Sequence, residues 1–370
     1  MSDTLLVSTR KGLFTVVRKG KGAWSIDRVS FLGDNVTLAM VDPRDGAWYA
    51  TLDHGHFGVK LQRSEDRGAT WTEIGVPQYP EPPEGHEEKD WMGRAIPWKL
   101  IRIWALQAGG ADQPGLLWAG TLPGGLFWSD DRGATWNLVR SLWDDPRRIQ
   151  WSGGGADYAG LHSICVDPRD SRHLLIAVST GGVWETKDRG VTWELLGQGL
   201  RAEYMPPEKA GDPLFQDVHH LVQCPGAPEH CWIQHHNGMF RSTDGARTWT
   251  ELKDVPPSVF GFAVAVHPKD PLTAWFVPGI KDEKRIPVGG QVVVTRTRDG
   301  AKTFEVLRHG LPQEHAYDLV LRHALDIDAT GDRLAFGSST GSLWVTEDGG
   351  DHWGTVSEHL PPVYAVCFVK

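Results

Sequence analysis

Apolar and polar residues alternate over short segments along the whole chain, and this pattern predicts many short β-strands. Residues 125–129 (Gly-Leu-Phe-Trp-Ser) and 135–139 (Thr-Trp-Asn-Leu-Val) are two such segments. Between them, Asp131 and Gly133 suit a tight turn, because the carboxylate accepts backbone N–H groups and glycine adopts positive φ. The two segments therefore predict a β-hairpin.

This hairpin is one copy of an internal repeat that covers nearly the whole chain. The complete copies share the order Ser/Thr, Asp, Gly, Thr, Trp and lie at 64–71, 129–136 and 186–193. Looser copies are centred on Asp244, Asp299 and Asp348, and a degenerate copy without the aspartate runs over 19–24. Neighbouring copies are 47 to 65 residues apart, which gives seven units.

Each unit also contains an earlier turn with proline at its second position, at 42–45, 167–170 and 267–270 in three units. Two hairpins per unit give four antiparallel strands, A to D, as in a propeller blade. The chain begins with residues typical of strand B, at 5–7, and ends with a segment typical of strand A, at 364–369. We therefore predict one all-β domain over 1–370, a seven-bladed β-propeller whose last strand closes the first blade.

The Ser/Thr-x-Asp-x-Gly-x-Thr-Trp pattern of the three complete copies resembles the Asp-box, or bacterial neuraminidase repeat. The resemblance implies a sialidase-like Asp-box propeller. That group of propellers includes sialidases, other glycosidases, sortilin-type receptors and photosystem assembly factors. Because it contains both enzymes and non-enzymatic binders, the fold leaves the function open.

Composition narrows the class of partner. The net charge of −9 argues against nucleic acid or an anionic membrane as the main partner, and no apolar run is long enough to span a bilayer. The N-terminus lacks the basic and apolar regions of a secretion signal, and four cysteines are too few for a disulfide framework. We expect a reduced, cytoplasmic protein that binds a small molecule or saccharide.

Long connections point to one face of the disc. In an antiparallel blade the A–B and C–D turns lie on one face, here the turn face, and the B–C and D–A connections lie on the other, here the loop face. The long segments all fall on the loop face, at 75–98, 140–160, 197–217, 278–290 and 308–318. Long loops without their own repeat are usually functional, so the site is expected there.

Histidines suggest a metal site in the channel mouth. Aligning the blades by their A–B turns places His162, His219 and His323 at equivalent positions near the start of strand A. Three imidazoles with an open position form a catalytic site for a divalent transition metal, zinc or iron. Glu203 or Asp217 would then carry the proton. The alternative is that these histidines fill the channel mouth and bond to backbone or water.

Other polar side chains on the loop face are candidate substrate contacts. They are His54, His56, Arg94, Tyr204, His235, His236, Arg285, Tyr317 and Asp318. A glycosidase would need paired carboxylates. Sialidases carry an Arg-Ile-Pro element in the first blade, whereas this chain has it at 285–287, in the sixth, so no sialidase residue is carried over. Phosphate-binding and dinucleotide motifs are missing from the sequence, which predicts no nucleotide cofactor.

The leading hypothesis is a hydrolase or lyase that uses a histidine-bound metal at the loop-rich channel mouth. A metal-independent glycoside hydrolase and a non-enzymatic protein-binding or assembly scaffold are the alternatives. The sequence does not determine the substrate or the oligomeric state.

Overall fold

The computed structural model describes residues 1–20, 23–85 and 87–369, and in this part of the chain 28 strands form seven four-stranded antiparallel sheets. Blades one to four contain β1 (Thr4–Thr9), β2 (Gly12–Lys19), β3 (Ala23–Ser30); β4 (Val36–Val41), β5 (Trp48–Asp53), β6 (Val59–Ser64), β7 (Thr72–Ile74); β8 (Arg102–Ala108), β9 (Leu117–Leu122), β10 (Leu126–Ser129), β11 (Asn137–Leu138); and β12 (Gly160–Val166), β13 (Leu174–Ser179), β14 (Gly182–Thr186), β15 (Glu194–Leu196).

Blades five to seven contain β16 (Val218–Gln223), β17 (Cys231–His235), β18 (Gly238–Ser242), β19 (Thr250–Glu251); β20 (Gly261–Val266), β21 (Ala274–Pro278), β22 (Val294–Thr297), β23 (Glu305–Leu307); and β24 (Leu325–Ile327), β25 (Leu334–Gly337), β26 (Leu343–Thr346), β27 (Trp353–Ser357). The final strand is β28 (Val363–Phe368). The connections hold α1 (Arg140–Trp143) and short 3-10 helices at Gly55–Phe57, Pro146–Gln150, Pro213–Phe215 and Val288–Gly290.

The ring is closed as predicted. Strand β28 pairs antiparallel with β1, with Leu6 opposite Cys367 and Val7 opposite Val366, and so completes the first blade as its strand A. The backbone N–H of Val369 also donates to the carbonyl of Thr4. This pairing covers the edge that β1 would otherwise expose and makes β28 the innermost strand of the first blade.

The repeated aspartates organise their turns by hydrogen bonds. The Asp131 carboxylate accepts from the Thr135 backbone N–H at 2.9 Å, the Thr135 hydroxyl at 2.6 Å and the Ser129 hydroxyl at 2.7 Å. Gly133 N–H donates to the Ser129 hydroxyl. Gly133 has a φ of 86°, a conformation that glycine adopts more readily than other residues. Similar sets surround Asp66, Asp188, Asp244, Asp299 and Asp348. In the degenerate copy, Lys21 and Gly22 lie outside the described residues.

Tryptophans pack the blades together, but the repeat positions are not the most deeply buried. Trp71, Trp136 and Trp193 at the end of the complete copies are only half-buried. Most of the fully buried ones lie in middle strands, namely Trp118, Trp184, Trp232, Trp275 and Trp344, and Trp143 lies in α1. A strand position between two blades excludes water better than a turn position at the rim, so the middle strands carry more of the core than the repeat alone predicts.

The described part of the chain contains no helix that is long and apolar enough to cross a membrane.

Asp131→Ala should lower the free energy of unfolding by about 1–2 kcal/mol, comparable to the loss of a helix N-cap, because several turn donors lose their acceptor. Chemical denaturation followed by tryptophan fluorescence measures this change. Asp130→Ala is the matched control, since the exposed neighbour lies outside that set of bonds, and it should change stability little. Equal losses in the two variants would contradict the role given to Asp131.

His173 should make stability pH-dependent. Hydrogen bonds to Glu185 at 2.8 Å and Asp167 at 3.1 Å raise the pKa of this imidazole despite its partial burial. The stabilisation is full below the unfolded-state pKa of about 6.5 and is lost as pH rises through the higher folded-state value. The stability difference between wild type and His173→Gln should therefore be larger at about pH 5.5 than at about pH 9. The exposed His359→Gln is the control, and a gap that grows with pH would refute this assignment.

Candidate functional site

The innermost strands present one equivalent side chain each to the channel mouth, and we call these seven residues the collar. In each blade a backbone N–H donates across the A–B turn, as Asp42 does to the carbonyl of Ala47, and in the first blade Val369 has this role. The collar residue lies five positions before that donor. The collar consists of Thr37, Trp104, His162, His219, Phe262, His323 and Tyr364. Except at His323, the strand register shifts at each collar position, as in a β-bulge. A bulge turns a side chain out of the regular alternation. Five collar residues, Thr37, Trp104, Phe262, His323 and Tyr364, line the loop-side cavity.

Arg322 and His323 of the seventh blade divide the central channel. His323 Nε2 donates to the carbonyl of His162 at 2.8 Å, and Arg322 Nε donates to the carbonyl of His219 at 2.8 Å. A cavity of about 510 Å³ lies on the turn side and one of about 200 Å³ on the loop side, and His323 lines both. The loop-side cavity is the mouth in which the sequence predicts the site.

The three histidines predicted as metal ligands are equivalent in the blades, but the structure does not assemble them into one ligand set. His162 Nε2 donates to the carbonyl of Val218, and His219 Nδ1 donates to that of Gly261, both at 2.7 Å. The imidazoles of His162 and His219 thus each bond to the inner strand of the next blade, whereas His323 bonds across the channel. Burial, together with the Arg322 charge, holds the pKa of His162 well below its ordinary value.

A different group forms around Asp217. Its Oδ1 accepts from the Ser179 hydroxyl at 2.6 Å, while its Oδ2 lies 3.4 Å from His236 Nδ1 and 3.7 Å from His219 Nε2. Burial opposes ionisation of Asp217, but the contacts with His219, His236 and Ser179 hold its pKa well below the ordinary value. In the described parts of the chain, Asp217, His219 and His236 are the one group of three whose ligand atoms all lie within 4.8 Å of one another.

Three arginines line the loop-side cavity beside this group. Arg102, Arg285 and Arg322 come from blades three, six and seven, and Trp104 and Phe262 form the walls between them. The guanidinium of Arg322 stacks over the Trp104 ring at 4.3 Å, and that of Arg285 lies 5.3 Å from the Phe262 centroid. Of the described residues, no aspartate or glutamate lines this cavity.

Arg322 is a buried cation with incomplete pairing. The residue is 6% exposed, and only its Nε has a hydrogen-bond partner among the described residues. Burial lowers its pKa to about 10; the Asp217 charge opposes the shift, and Arg285 and Arg102 add to it. By contrast, Arg102 has Asp53 at 3.5 Å and Arg285 has Asp282 at 3.0 Å. The site therefore holds excess positive charge directed into a small cavity.

The other predicted residues have varied positions. Tyr204 packs its ring 5.2 Å from His236 and donates its hydroxyl to the carbonyl of Phe215, so it belongs to the rim of the Asp217 group. His235 is fully buried, and burial lowers its pKa to about 3, which makes it a neutral core residue and not a substrate contact. Asp318 accepts from the hydroxyls of Ser338 and Thr340 and holds a turn.

The remaining candidates lie away from the cavity lining. Arg94 is paired with Asp90 at 2.8 Å, and His54 lies 3.9 Å from Asp34. His56, Glu203 and Tyr317 are exposed on the loop face. Sequence reasoning missed Arg102, Trp104, Phe262 and Arg322. The blade alignment that selected the three histidines also marks Trp104 and Phe262 as their equivalents, whereas the two arginines carried no repeat signal.

Comparisons with known proteins support the fold. No family model matches the chain. The xyloglucanase Xgh74A of Acetivibrio thermocellus is 25% identical to this chain over 179 residues. The match covers 44% of this chain and 20% of the xyloglucanase. The GH74 xyloglucanase from Xanthomonas campestris superposes with a TM-score of 0.64 at 18% identity over 96% of this chain and 52% of that one. YCF48 bound to D1 peptide superposes with a TM-score of 0.52 at 14% identity over 87% of this chain and 80% of that one.

These comparisons show the class of protein. The chain is a seven-bladed β-propeller whose structural neighbours include GH74 xyloglucanases and YCF48. It spans about a fifth of the curated relative and about half of the Xanthomonas enzyme, so the activities of those proteins are not transferred with the fold.

Arg322→Met should leave the free energy of unfolding unchanged or raise it by about 1 kcal/mol, because an isolated buried cation costs desolvation that methionine does not. Arg333→Met is the matched control. Arg333 is also buried, but it donates to Asp3 at 2.9 Å and to the carbonyl of Ser2, so its loss should destabilise the protein. Thermal unfolding of both variants measures the contrast, and a large loss for Arg322→Met alone would contradict it.

Proposed function

We propose that the loop-side mouth is the active site of a hydrolase or lyase that acts on a small molecule or saccharide carrying an anionic group. The observation that carries this proposal is the convergence of Arg102, Arg285 and Arg322 on a cavity of about 200 Å³ that no described carboxylate lines. A ligand anion would supply the missing counter-charge.

The arginines suit a carboxylate, sulfate or phosphate group. A guanidinium presents a planar fork that binds two oxygens at once, and such charge-assisted bonds are stronger than neutral ones. A buried charge is costly until it is paired, so Arg322 gains the most from an incoming anion. The cavity is smaller than the roughly 300–1,000 Å³ of typical ligand pockets, which indicates that it receives one end of the ligand while the rest lies in the open mouth.

The aromatic walls and the curated relative favour a saccharide. Trp104, Phe262 and Tyr364 line the cavity with flat apolar surface, on which the apolar face of a sugar ring packs well. The relative with 25% identity is a xyloglucanase, which supports a glycoside-acting enzyme. Among the residues predicted to carry a proton, Asp217 is buried and its charge acts on Arg322, whereas Glu203 is exposed and has no side-chain hydrogen bond among the described residues.

In bond cleavage, the Asp217 group and the three arginines would have different roles. Hydrolysis and elimination both need a group that moves a proton and a cation that stabilises developing negative charge. The Asp217 group supplies polar atoms at the edge of the cavity, and the arginines supply the positive field. Arginines and aromatic walls, without a carboxylate pair in the lining, favour this scheme over a metal-independent glycoside hydrolase with paired carboxylates.

A second candidate is peptide binding, which the structure of YCF48 bound to D1 peptide supports. An arginine-lined cavity would accept the C-terminal carboxylate of a peptide as readily as that of a sugar. A scaffold of this kind would bind without turnover.

The test is calorimetric titration with oligosaccharides of glucuronic or galacturonic acid, their methyl esters and neutral xyloglucan oligosaccharides. The free acids should bind more tightly than the esters, and Arg322→Met should weaken binding at least about tenfold, the loss expected for one charge-assisted bond. Arg94→Met is the control, because Arg94 lies on the same face but outside the cavity and is paired with Asp90.

Two results would overturn the proposal. Equal affinity for acids, esters and neutral sugars would show that the ligand needs no anionic group. Unchanged affinity in Arg322→Met would show that the cavity is not the binding site. Peptides with free and amidated C-termini separate the second candidate, since only the free carboxylate should bind if the protein is a peptide scaffold.

A further inference from the structure

We propose that Asp217, His219 and His236 together bind one divalent transition-metal ion at the edge of the loop-side cavity. This ligand set differs from the three histidines that the sequence suggests, and shares only His219 with it. The inference does not depend on the anionic ligand, because metal binding is measured without any substrate.

The distances fit a shared ion better than hydrogen bonds. Asp217 Oδ2 lies 3.4 Å from His236 Nδ1 and 3.7 Å from His219 Nε2, and both separations exceed the roughly 2.7–3.2 Å of an N–H···O bond. Ligands at about 2.0–2.2 Å from a tetrahedral zinc ion are separated by about 3.3–3.6 Å. Both separations are therefore close to the edge length of such a coordination polyhedron, and all three ligand atoms lie within 4.8 Å of one another.

The hydrogen bond on the far side of His219 fixes the nitrogen that faces Asp217. His219 Nδ1 donates to the carbonyl of Gly261 at 2.7 Å, so in the neutral imidazole the lone pair is on Nε2. That lone pair lies 3.7 Å from a carboxylate oxygen, an unfavourable approach of two acceptors unless a proton or a metal ion lies between them. A backbone carbonyl behind the distal nitrogen is the usual support of a metal-binding histidine. The ring is further fixed by stacking on Phe262, with centroids 4.4 Å apart.

Asp217 has similar support. Its second oxygen accepts from the Ser179 hydroxyl at 2.6 Å, which leaves Oδ2 for the histidines. Gly154 closes over the carboxylate so tightly that a Cβ there would lie 2.4 Å from Oδ1, 2.6 Å from Oδ2 and 2.6 Å from the Ser179 hydroxyl. Only glycine fits at this position, and the carboxylate is held in one orientation.

The position of His236 indicates an open coordination site. Its side chain is 23% exposed, whereas those of Asp217 and His219 are buried. Three protein ligands and a free position toward solvent are typical of catalytic rather than structural metal centres. Imidazole and carboxylate ligands suit zinc and iron, and a bound ion would supply a Lewis acid next to the arginine cavity.

The test is metal stoichiometry and affinity of the full chain. Chelator-treated protein is titrated with Zn²⁺ and with Co²⁺, whose visible absorption reports coordination geometry, and bound metal is counted by mass spectrometry after dialysis. We expect one equivalent per chain with an intense tetrahedral or five-coordinate Co²⁺ spectrum. His236→Gln should weaken binding by more than about tenfold, and Ser179→Ala by about 10–100-fold, as for other groups that orient a ligand.

The controls separate this site from other histidines. His323→Gln removes a histidine of the ligand set suggested by the sequence, and His56→Gln removes an exposed histidine of the same face; both should keep full stoichiometry. Because His236 is partly exposed, its variant should fold, and circular dichroism checks this. Absence of a tightly bound equivalent in wild type would overturn the proposal, as would a His236→Gln protein that binds like wild type or loss of the metal in His323→Gln alone.

Discussion

Closure of the ring by β28 is the constraint on which the rest of the structure depends. Each blade packs on its two neighbours, and the inner strands enclose a complete channel only when the last strand completes the first blade. Closure also places Tyr364 in the collar and brings Ala365 beside His323. The mouth is therefore built from residues that are hundreds of positions apart in sequence, and its geometry follows from the ring rather than from any local motif.

The collar supplies chemically distinct side chains at equivalent positions around this ring. Register shifts set one collar side chain apart in six of the seven blades, and most of the seven collar side chains are aromatic or imidazole. The seventh blade adds Arg322 and His323, which bond to the carbonyls of blades five and four and close the channel. A buried guanidinium and a buried carboxylate thus lie near each other without pairing directly, Arg322 facing the cavity and Asp217 facing two histidines. Such separation of opposite charges is costly for folding and is typical of sites that exchange the missing partner for a ligand.

The sequence predicts the fold well because each repeated turn carries its own physical signature. The aspartate, the hydroxyl residue before it and the glycine after it are tied by local hydrogen bonds, so the pattern identifies seven hairpins and their spacing identifies the blades. The alignment also finds that His162 and His219 are equivalent. It does not show where an imidazole points, because that depends on the bulge and on the carbonyl of the next blade. Arg102 and Arg322 were missed for a related reason. They lie in blades three and seven and line the same cavity only because the ring is closed, and the repeat pattern contains no signal for such a meeting.

In the arrangement proposed above, the loop-side mouth joins a metal-binding group to an anion-binding cavity. The most direct measurement is anomalous diffraction from crystals soaked with Zn²⁺ and a uronic acid oligosaccharide. The account predicts one anomalous peak within coordination distance of Asp217, His219 and His236, with the sugar carboxylate on Arg322. A peak beside His162 and His323 instead, or a saccharide bound on the turn face, would contradict this arrangement.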